Sequence, residues 1–356
     1  MAILDDLKSL VECESPTEDL AACRKVVDLA VSITSEVLNK SAEVFDENGR
    51  PVYWLGSKNP EIILLAHLDT VWPIGSFKPL WNVDGDKVTG PGTFDMKAGF
   101  LQGLYAIKDI SLEKVALVAT TDEEVGSQTS KELIRRISAK AKVVLVLEAS
   151  INGKVKTGRK GTAMYQIKVI GKASHAGLEP EKGINATVEI ANQVKNLIGL
   201  ENLAKGTTVV PTKLTSGTTT NTVPAESHLD VDVRSFEMKE LERVDQAIKG
   251  LTATIPGAKL IISGGINRPP LEERSTIELY KKVENSAKKI GMGPVGHIAV
   301  GGASDGNFAA EAGAKVLDGL GAVGDGAHAP HEYISISGMD RQIKLLTQFV
   351  KDLLSE

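Results

Sequence analysis

Apolar positions along the chain recur with two different periods, and the changes between them divide the sequence into segments of distinct character. Helical spacing runs through roughly the first 38 residues and breaks at Ser15-Pro16-Thr17, which predicts two opening helices with Thr17 as a cap ahead of Glu18 and Asp19. Beyond them, Ile62 to Ala66, Val115 to Thr121 and Val143 to Leu147 are apolar without alternation, the pattern of strands buried on both faces of a mainly parallel sheet. Helices near Met96 to Lys108 and Ser127 to Lys140 supply the covering layers that such a sheet requires.

The middle of the chain reads differently. Met164 to Ile170 and His228 to Val233 alternate apolar with polar residues, as antiparallel strands with one solvated face do, and helices near Ala186 to Ile198 and Lys239 to Leu251 sit among them. The fold class expected is therefore α/β: a mainly parallel mixed sheet flanked by helices over residues 1–160 and 272–356, with residues 161–271 inserted as an α+β sandwich of βαββαβ order. Arg268-Pro269-Pro270 marks the return to the first domain, and the helical spacing of Gly338 to Leu354 closes it.

Composition narrows the classes of function. At 356 residues the chain exceeds what one core usually organises, which agrees with two domains. Its charged fraction of 24% and hydrophobic fraction of 42% are those of a globular protein, and a net charge of -5 without any basic block argues against a nucleic-acid partner. Asp5 and Asp6 stand where a secretory leader wants basic residues, and no apolar run approaches the roughly 18 residues that span a bilayer, so a cytoplasmic protein without a membrane partner is expected. Cys13 and Cys23 lack CxxC spacing and read as reduced thiols with no catalytic role.

Candidate chemistry gathers at the ends of the apolar runs. Ile62 to Ala66 leads into His67-Leu68-Asp69, and the two-residue period puts His67 and Asp69 on one face where open α/β sheets bind ligands. Asp69 there can hold the second ring nitrogen of a metal-bound imidazole, although an isolated pair of this kind is more often a surface hydrogen bond. Asp95 follows the Gly-rich Gly90-Pro91-Gly92 at the start of a helix, where it is a ligand or a helix cap. Glu123 and Glu124 follow a second buried strand and point to opposite sides, so one can bind metal while the other carries a proton. Glu148 ends a third strand, and His328 and His331 lie in a late loop. Coincidence is a poor account of so many such residues at strand-to-loop junctions of one sheet. A serine-nucleophile elbow GxSxG with a strand before it is lacking.

The segments AHLDT, GPGTFDMKAG, TTDEEVGS, LVLEAS, GKASHAG, NTVPAESHLDVDVRS, GGASDG and HAPHEY, in this order, resemble the dinuclear zinc peptidases and deacylases that include glutamate carboxypeptidase, succinyl-diaminopimelate desuccinylase, acetylornithine deacetylase and aminoacylase. The likeness covers nearly the whole chain and is closest to the folate-hydrolysing glutamate carboxypeptidase. It implies two zinc ions, for which cobalt may substitute, bridged by Asp95, with His67 and Glu148 completing one position and Glu124 and His328 the other. His328 is preferred to His331 because the family ligand lies four residues before the Glu of the terminal motif, here Glu332. A bridging water or hydroxide would take the remaining coordination, with Glu123 as general base.

The resemblance also implies that the inserted segment is a lid and dimerisation domain in a homodimer, with His175 stabilising the oxyanion, often in the partner's site. Asn221 and Arg234 match positions that hold a substrate carboxylate, and Gly302 and Ser304 a pocket wall. Lys154 and Lys156, two apart and so expected on one strand face, are candidates for contact with the side-chain carboxylate of a departing glutamate. The function implied is hydrolysis of an amide or peptide bond beside a free carboxylate in a small peptide or N-acyl amino acid. Alternatives are an N-acyl-amino-acid deacylase and, in another class, a binding protein that keeps the fold without catalysis.

Overall fold

The computed structural model describes residues 2–356. The chain divides into two compact units, one of Met1–Gly158, Glu273–Val300 and Ser304–Glu356, the other of Arg159–Glu272 and Gly301–Ala303.

In the first unit, the unbroken apolar runs become the centre of a six-stranded sheet. Ile62–His67, Val115–Thr120, Val143–Val146 and Lys315–Leu317 run parallel, and Glu43–Glu47 and Arg50–Gly56 complete one edge antiparallel. Every residue of Ile62–His67, Val115–Thr120 and Val143–Val146 is buried. That two-sided burial is why the sequence shows no alternation there. The register His67 opposite Thr120 brings the carboxyl ends of the central strands level, so the loops that leave those strands emerge at one rim.

The opening helices are Ala2–Glu12 and Leu20–Leu38, but the expected cap is one element removed. Asp19 caps the second helix by accepting the Ala22 amide, and Thr17 instead donates its hydroxyl to Asp69 at 2.8 Å. A tertiary acceptor 52 residues away has taken the side chain that local geometry offered to the helix. The helix expected from Met96 begins regularly only at Ala98 and runs to Ala106, after an irregular turn over Thr93–Lys97. Gly99 permits its close approach to the sheet: a methyl group there would lie 2.1 Å from the Leu147 carbonyl oxygen. The closing helix is Ile336–Leu354.

The second unit has the order strand Gly161–Ile170, helix Ala186–Ile198, strands Thr208–Ser216 and Glu226–Ser235, helix Met238–Lys249 and strand Lys259–Arg268. All pairings in its four-stranded sheet are antiparallel. Ala163, Tyr165, Ile167 and Val169 face the helices' Ile190, Leu197, Leu241 and Val244 in one core, while Met164 on the alternate face is exposed. The segment after the second helix is tied down by buried Glu189, which accepts from Gln193 Nε2 and from Thr254 and Ile255. Burial alone would raise the Glu189 pKa, but these donors hold it below the usual carboxylate range.

Among the described residues no helix is long and apolar enough to cross a membrane.

A depressed folded-state pKa contributes stability above the unfolded pKa and loses it as pH falls through the folded value. Glu189→Gln is therefore expected to lower stability by about 1.5–3 kcal/mol at neutral pH. The gap to the wild type should close as pH drops below about 4, near the ordinary carboxylate range. Denaturant titrations of both proteins across that range check it.

Candidate active site

Four loops meet at the carboxyl rim of the parallel strands. His67 is the last residue of its strand, 1% exposed. Its Nδ1 lies 3.1 Å from the Asp69 carbonyl oxygen and 3.4 Å from Asp69 Oδ1, which fixes the ring and turns Nε2 toward the rim. That Nε2 is buried without a hydrogen-bond partner, yet stands 3.3 Å from Asp95 Oδ1 and 3.7 Å from Glu148 Oε1. On the other side of Asp95, Oδ2 is 3.5 Å from His328 Nε2, which is itself 2.9 Å from Glu124 Oε2. Asp95 thus presents one carboxylate oxygen to each histidine, and each histidine has a second carboxylate beside it.

Asp95 is no helix cap: with φ -121 and ψ 91 it lies in extended backbone ahead of the helix, and its carboxylate turns to the histidines. His328 sits in the turn between Gly324–Asp325 and Tyr333–Ser335 with φ 60, a left-handed conformation that costs a non-glycine residue roughly 1–2 kcal/mol. His331 in the same turn is exposed.

Two sets of donor atoms lie within 4.8 Å of one another, His67 with Asp95 and Glu124, and His67 with Glu123 and Glu148. Imidazole and carboxylate donors in this number suit divalent metal ions that accept nitrogen and oxygen ligands. The unpartnered Nε2 of His67 is the observation that fits the group best, because a buried ring nitrogen aimed at carboxylates is what a ligand looks like.

Electrostatics agree with this. Burial drives the Glu124 carboxyl up to about 8, with His328 opposing and Asp95 adding to the rise. His328 is pushed up to about 10 by Asp95 and Glu124. Burial disfavours the charged form of His67, but Asp69 and Asp95 outweigh it and raise its pKa. At Asp95 desolvation pulls the carboxyl upward, and its two histidine partners hold it well below the ordinary range. The groups that favour a proton here are the ones a divalent cation would serve with its charge.

The supporting shell is made of further buried carboxylates. Asp69 accepts from Thr17 Oγ1 and from the amides of Glu123 at 3.4 Å and Glu124 at 3.2 Å. Glu332, fully buried, accepts from the amides of Gly92 (3.1 Å), Phe94 (2.9 Å) and Asp95 (3.1 Å) and from Trp72 Nε1 (3.0 Å). Burial pushes its carboxyl upward, and those donors oppose the rise. Asp122 gathers Thr129 and Ser130, and Asp305 accepts from Thr120 and Ser127. Sequence reasoning assigned no role to Glu332, Asp122 or Asp305. Their partners are backbone amides and hydroxyls on other turns, for which one sequence carries no spacing signal.

The remaining candidates are distributed differently. Lys154 and Lys156 differ in exposure: Lys154 is exposed where the Asn152-Gly153 turn closes, and Lys156 is buried in Val155–Arg159, in a backbone bridge with Asp318. Both turn residues, Asn152 and Gly153, have positive φ, which closes the tight turn that brings Lys154 back opposite Ile151. Ser304 is fully buried, capping Asp305–Glu311 and donating to Asp318 at 2.7 Å.

His175, Asn221, Arg234 and Gly302 belong to the second unit. His175 is exposed, with Nδ1 accepting from the amides of Gly177 and Leu178, both at 3.1 Å, while the Asn221 carbonyl accepts the Ala176 amide. Arg234 forks onto Asp232 at 2.9 and 3.2 Å and reaches the Gly301 carbonyl at 3.3 Å. The carbonyls of Gly302 and Ala303 accept from Arg159, each at 3.2 Å.

Residues 63–352 match Peptidase family M20/M25/M40. The chain is 31% identical over 380 residues to carboxypeptidase G2 of Pseudomonas sp. (strain RS-16), covering 99% of this chain and 89% of that protein. It is 26% identical to a succinyl-diaminopimelate desuccinylase of a Nitratiruptor species, covering 99% and 100% of the two. Among solved structures, the aminopeptidase PepT of Bacillus cereus ATCC 10987 has the same fold, with a TM-score of 0.81 at 21% identity over 99% of this chain and 98% of that one.

Glu332→Ala is expected to leave the Gly92, Phe94 and Asp95 amides buried without an acceptor, at about 1–3 kcal/mol for each unsatisfied group. Metal content should fall with stability, because Asp95 loses its mooring. Thermal unfolding together with metal analysis of the purified variant checks both.

Proposed function

The chain belongs to Peptidase family M20/M25/M40 and is a metal-dependent hydrolase, and we propose that it cleaves an amide or peptide bond beside a free carboxylate, with glutamate-type substrates first. The observation that carries this is Asp95, one oxygen facing His67 and Glu148, the other facing His328 and Glu124. These five residues would hold two metal ions, zinc in our reading, with Asp95 shared. When bound, the ions supply Lewis acidity toward the scissile carbonyl and make water a nucleophile at neutral pH.

The chain's own residues do the rest. Glu123 lies within reach of the His67 and Glu148 donor atoms but outside the set that joins Asp95 to Glu124, so its carboxylate is the one we assign to take a proton from the attacking water and deliver it to the leaving nitrogen. Asp69 holds the ring of His67 and, through two amides, the register of Glu123 and Glu124. His175 accepts two amides at Nδ1, which leaves its neutral ring with the proton on Nε2, the form that donates to a developing oxyanion. We assign it that role, in the partner's site of a homodimer in which residues 161–271 serve as lid and dimerisation domain. Asn221 and Arg234 then take the substrate carboxylate, for which the Arg234 fork is already oriented by Asp232. Gly302 contributes to the pocket wall, while Ser304 acts through its cap. Of the two lysines, exposed Lys154 is the better candidate for a second carboxylate.

An N-acyl-amino-acid deacylase uses every one of these catalytic residues, and the full-length similarity to desuccinylases favours it as the second reading.

Chelation is expected to abolish turnover of an N-acyl-glutamate panel, and added zinc or cobalt to restore it, with circular dichroism unchanged because the sheet core does not rest on metal. Full activity in metal-free protein would overturn the assignment. Because the raised pKa values of His67, Glu124 and His328 mean protons must leave before metal enters, apparent metal affinity should rise with pH between roughly 7 and 10.

Glu123→Gln is expected to keep both metals and lose about 100-fold or more in kcat, whereas Glu124→Gln should weaken one metal. Equal metal loss in the two variants would show the pair to be assigned the wrong way round.

A further inference from the structure

Beside Glu124 the first unit opens into a groove of about 790 Å³, with Glu124 and Val125 among its lining residues. Its walls carry Leu20, Val71 and Ile74, whose exposures of 49%, 37% and 60% are high for large apolar side chains. Apolar residues converging on a concave surface that adjoins a charged cluster are characteristic of a ligand subsite.

The groove is built in advance. Leu20 opens the second helix, and Val71 and Ile74 lie in the loop after the His67 strand, so its two walls come from separate segments. Backbone bonds fasten them together, Thr17 N to Thr70 O at 3.1 Å and Thr70 N to Ser15 O at 2.8 Å, and the Gly75 amide meets the Glu14 carboxylate at 2.9 Å. Thr17 also binds Asp69, the carboxylate that receives the Glu123 and Glu124 amides. Groove and acid pair are therefore positioned by one residue.

Charge on the groove has one sign. Away from the metal position, Glu18 and Asp19 line it, and none of the described residues lining it is Lys or Arg. An anionic group entering there would meet carboxylates and no counter-charge.

We infer that this groove receives the portion of the substrate on the carbonyl side of the scissile amide, and that it selects an apolar, uncharged acyl group or side chain over an anionic one. The inference rests on the amide-hydrolase reading above and names its substrate class: the departing half carries the carboxylate, the acyl half is greasy and neutral.

The test uses N-hexanoyl-, N-benzoyl-, N-acetyl- and N-succinyl-glutamate, which share a leaving group and differ only in the acyl part. Turnover is measured on zinc-loaded wild type, and binding by calorimetry on the zinc-loaded Glu123→Gln variant. The hexanoyl and benzoyl compounds should exceed the acetyl compound about tenfold or more in kcat/KM and in affinity, as apolar contacts of this size allow, with the succinyl compound weakest. Leu20→Ala combined with Ile74→Ala alters exposed side chains and should erase the hexanoyl advantage while leaving acetyl-glutamate within about twofold. Glu18→Lys should raise succinyl-glutamate about tenfold, as removing a like charge and adding an opposite one permits. An acyl preference unchanged in both variants, or succinyl-glutamate as the best wild-type ligand, overturns the groove assignment. Hydrolysis of all four without acyl preference leaves the hydrolase reading standing and the groove rejected; binding in the expected order without hydrolysis does the reverse, and failure of all four to bind rejects both.

Discussion

The structure turns on the crowding of carboxylates around Asp95. Asp95, Glu124 and Glu148 converge with two histidines at the rim of one sheet, in a setting where like charges about 4 Å apart repel by roughly 4 kcal/mol even at an effective dielectric of 20. Neutralisation is the only stable outcome. In the protein alone burial, with Asp95 adding to it, lifts Glu124 to about 8, and Asp95 and Glu124 lift His328 to about 10; divalent cations answer the same crowding better because one ion serves several carboxylates at once.

Holding mutually repelling groups in place demands a rigid frame, and the frame is itself made of acids. Asp69, Glu332, Asp122 and Asp305 are each buried, and each accepts hydrogen bonds from loop amides or hydroxyls at the rim. A carboxylate accepts several bonds, so one side chain can fix a whole turn. Glu332 also stands in the same short hairpin turn as His328, so the residue that moors the Asp95 loop and the residue that faces Asp95 Oδ2 are carried together. The left-handed backbone at His328 is the strain that such a compact arrangement tolerates.

The second unit applies the same device to stability and to positioning. Glu189 collects the segment after the Met238–Lys249 helix, and Asp232 holds the Arg234 guanidinium in a planar fork. A preset guanidinium loses less freedom when it meets a carboxylate ligand than a mobile one would.

The sequence by itself determined the sheet and much of which side chains converge at its rim. Unbroken apolar runs placed three central strands, and the convergence of His67, Glu123, Glu124 and Glu148 was legible because each stands at or within a few residues of the end of such a run, where chain position and spatial position coincide. The alternating strands of the inserted segment were equally plain, since one solvated face writes its period into the sequence. Only the tertiary structure decided the rest. Thr17 left its helix for Asp69, Lys156 was buried opposite Asp318 while Lys154 stayed exposed, Ser304 turned inward to Asp318, and Glu332 proved to be the anchor of the Asp95 loop. In each case the deciding partner lies on a different segment, and the hydrogen bond or burial it offers outweighs the local preference that a single chain can display.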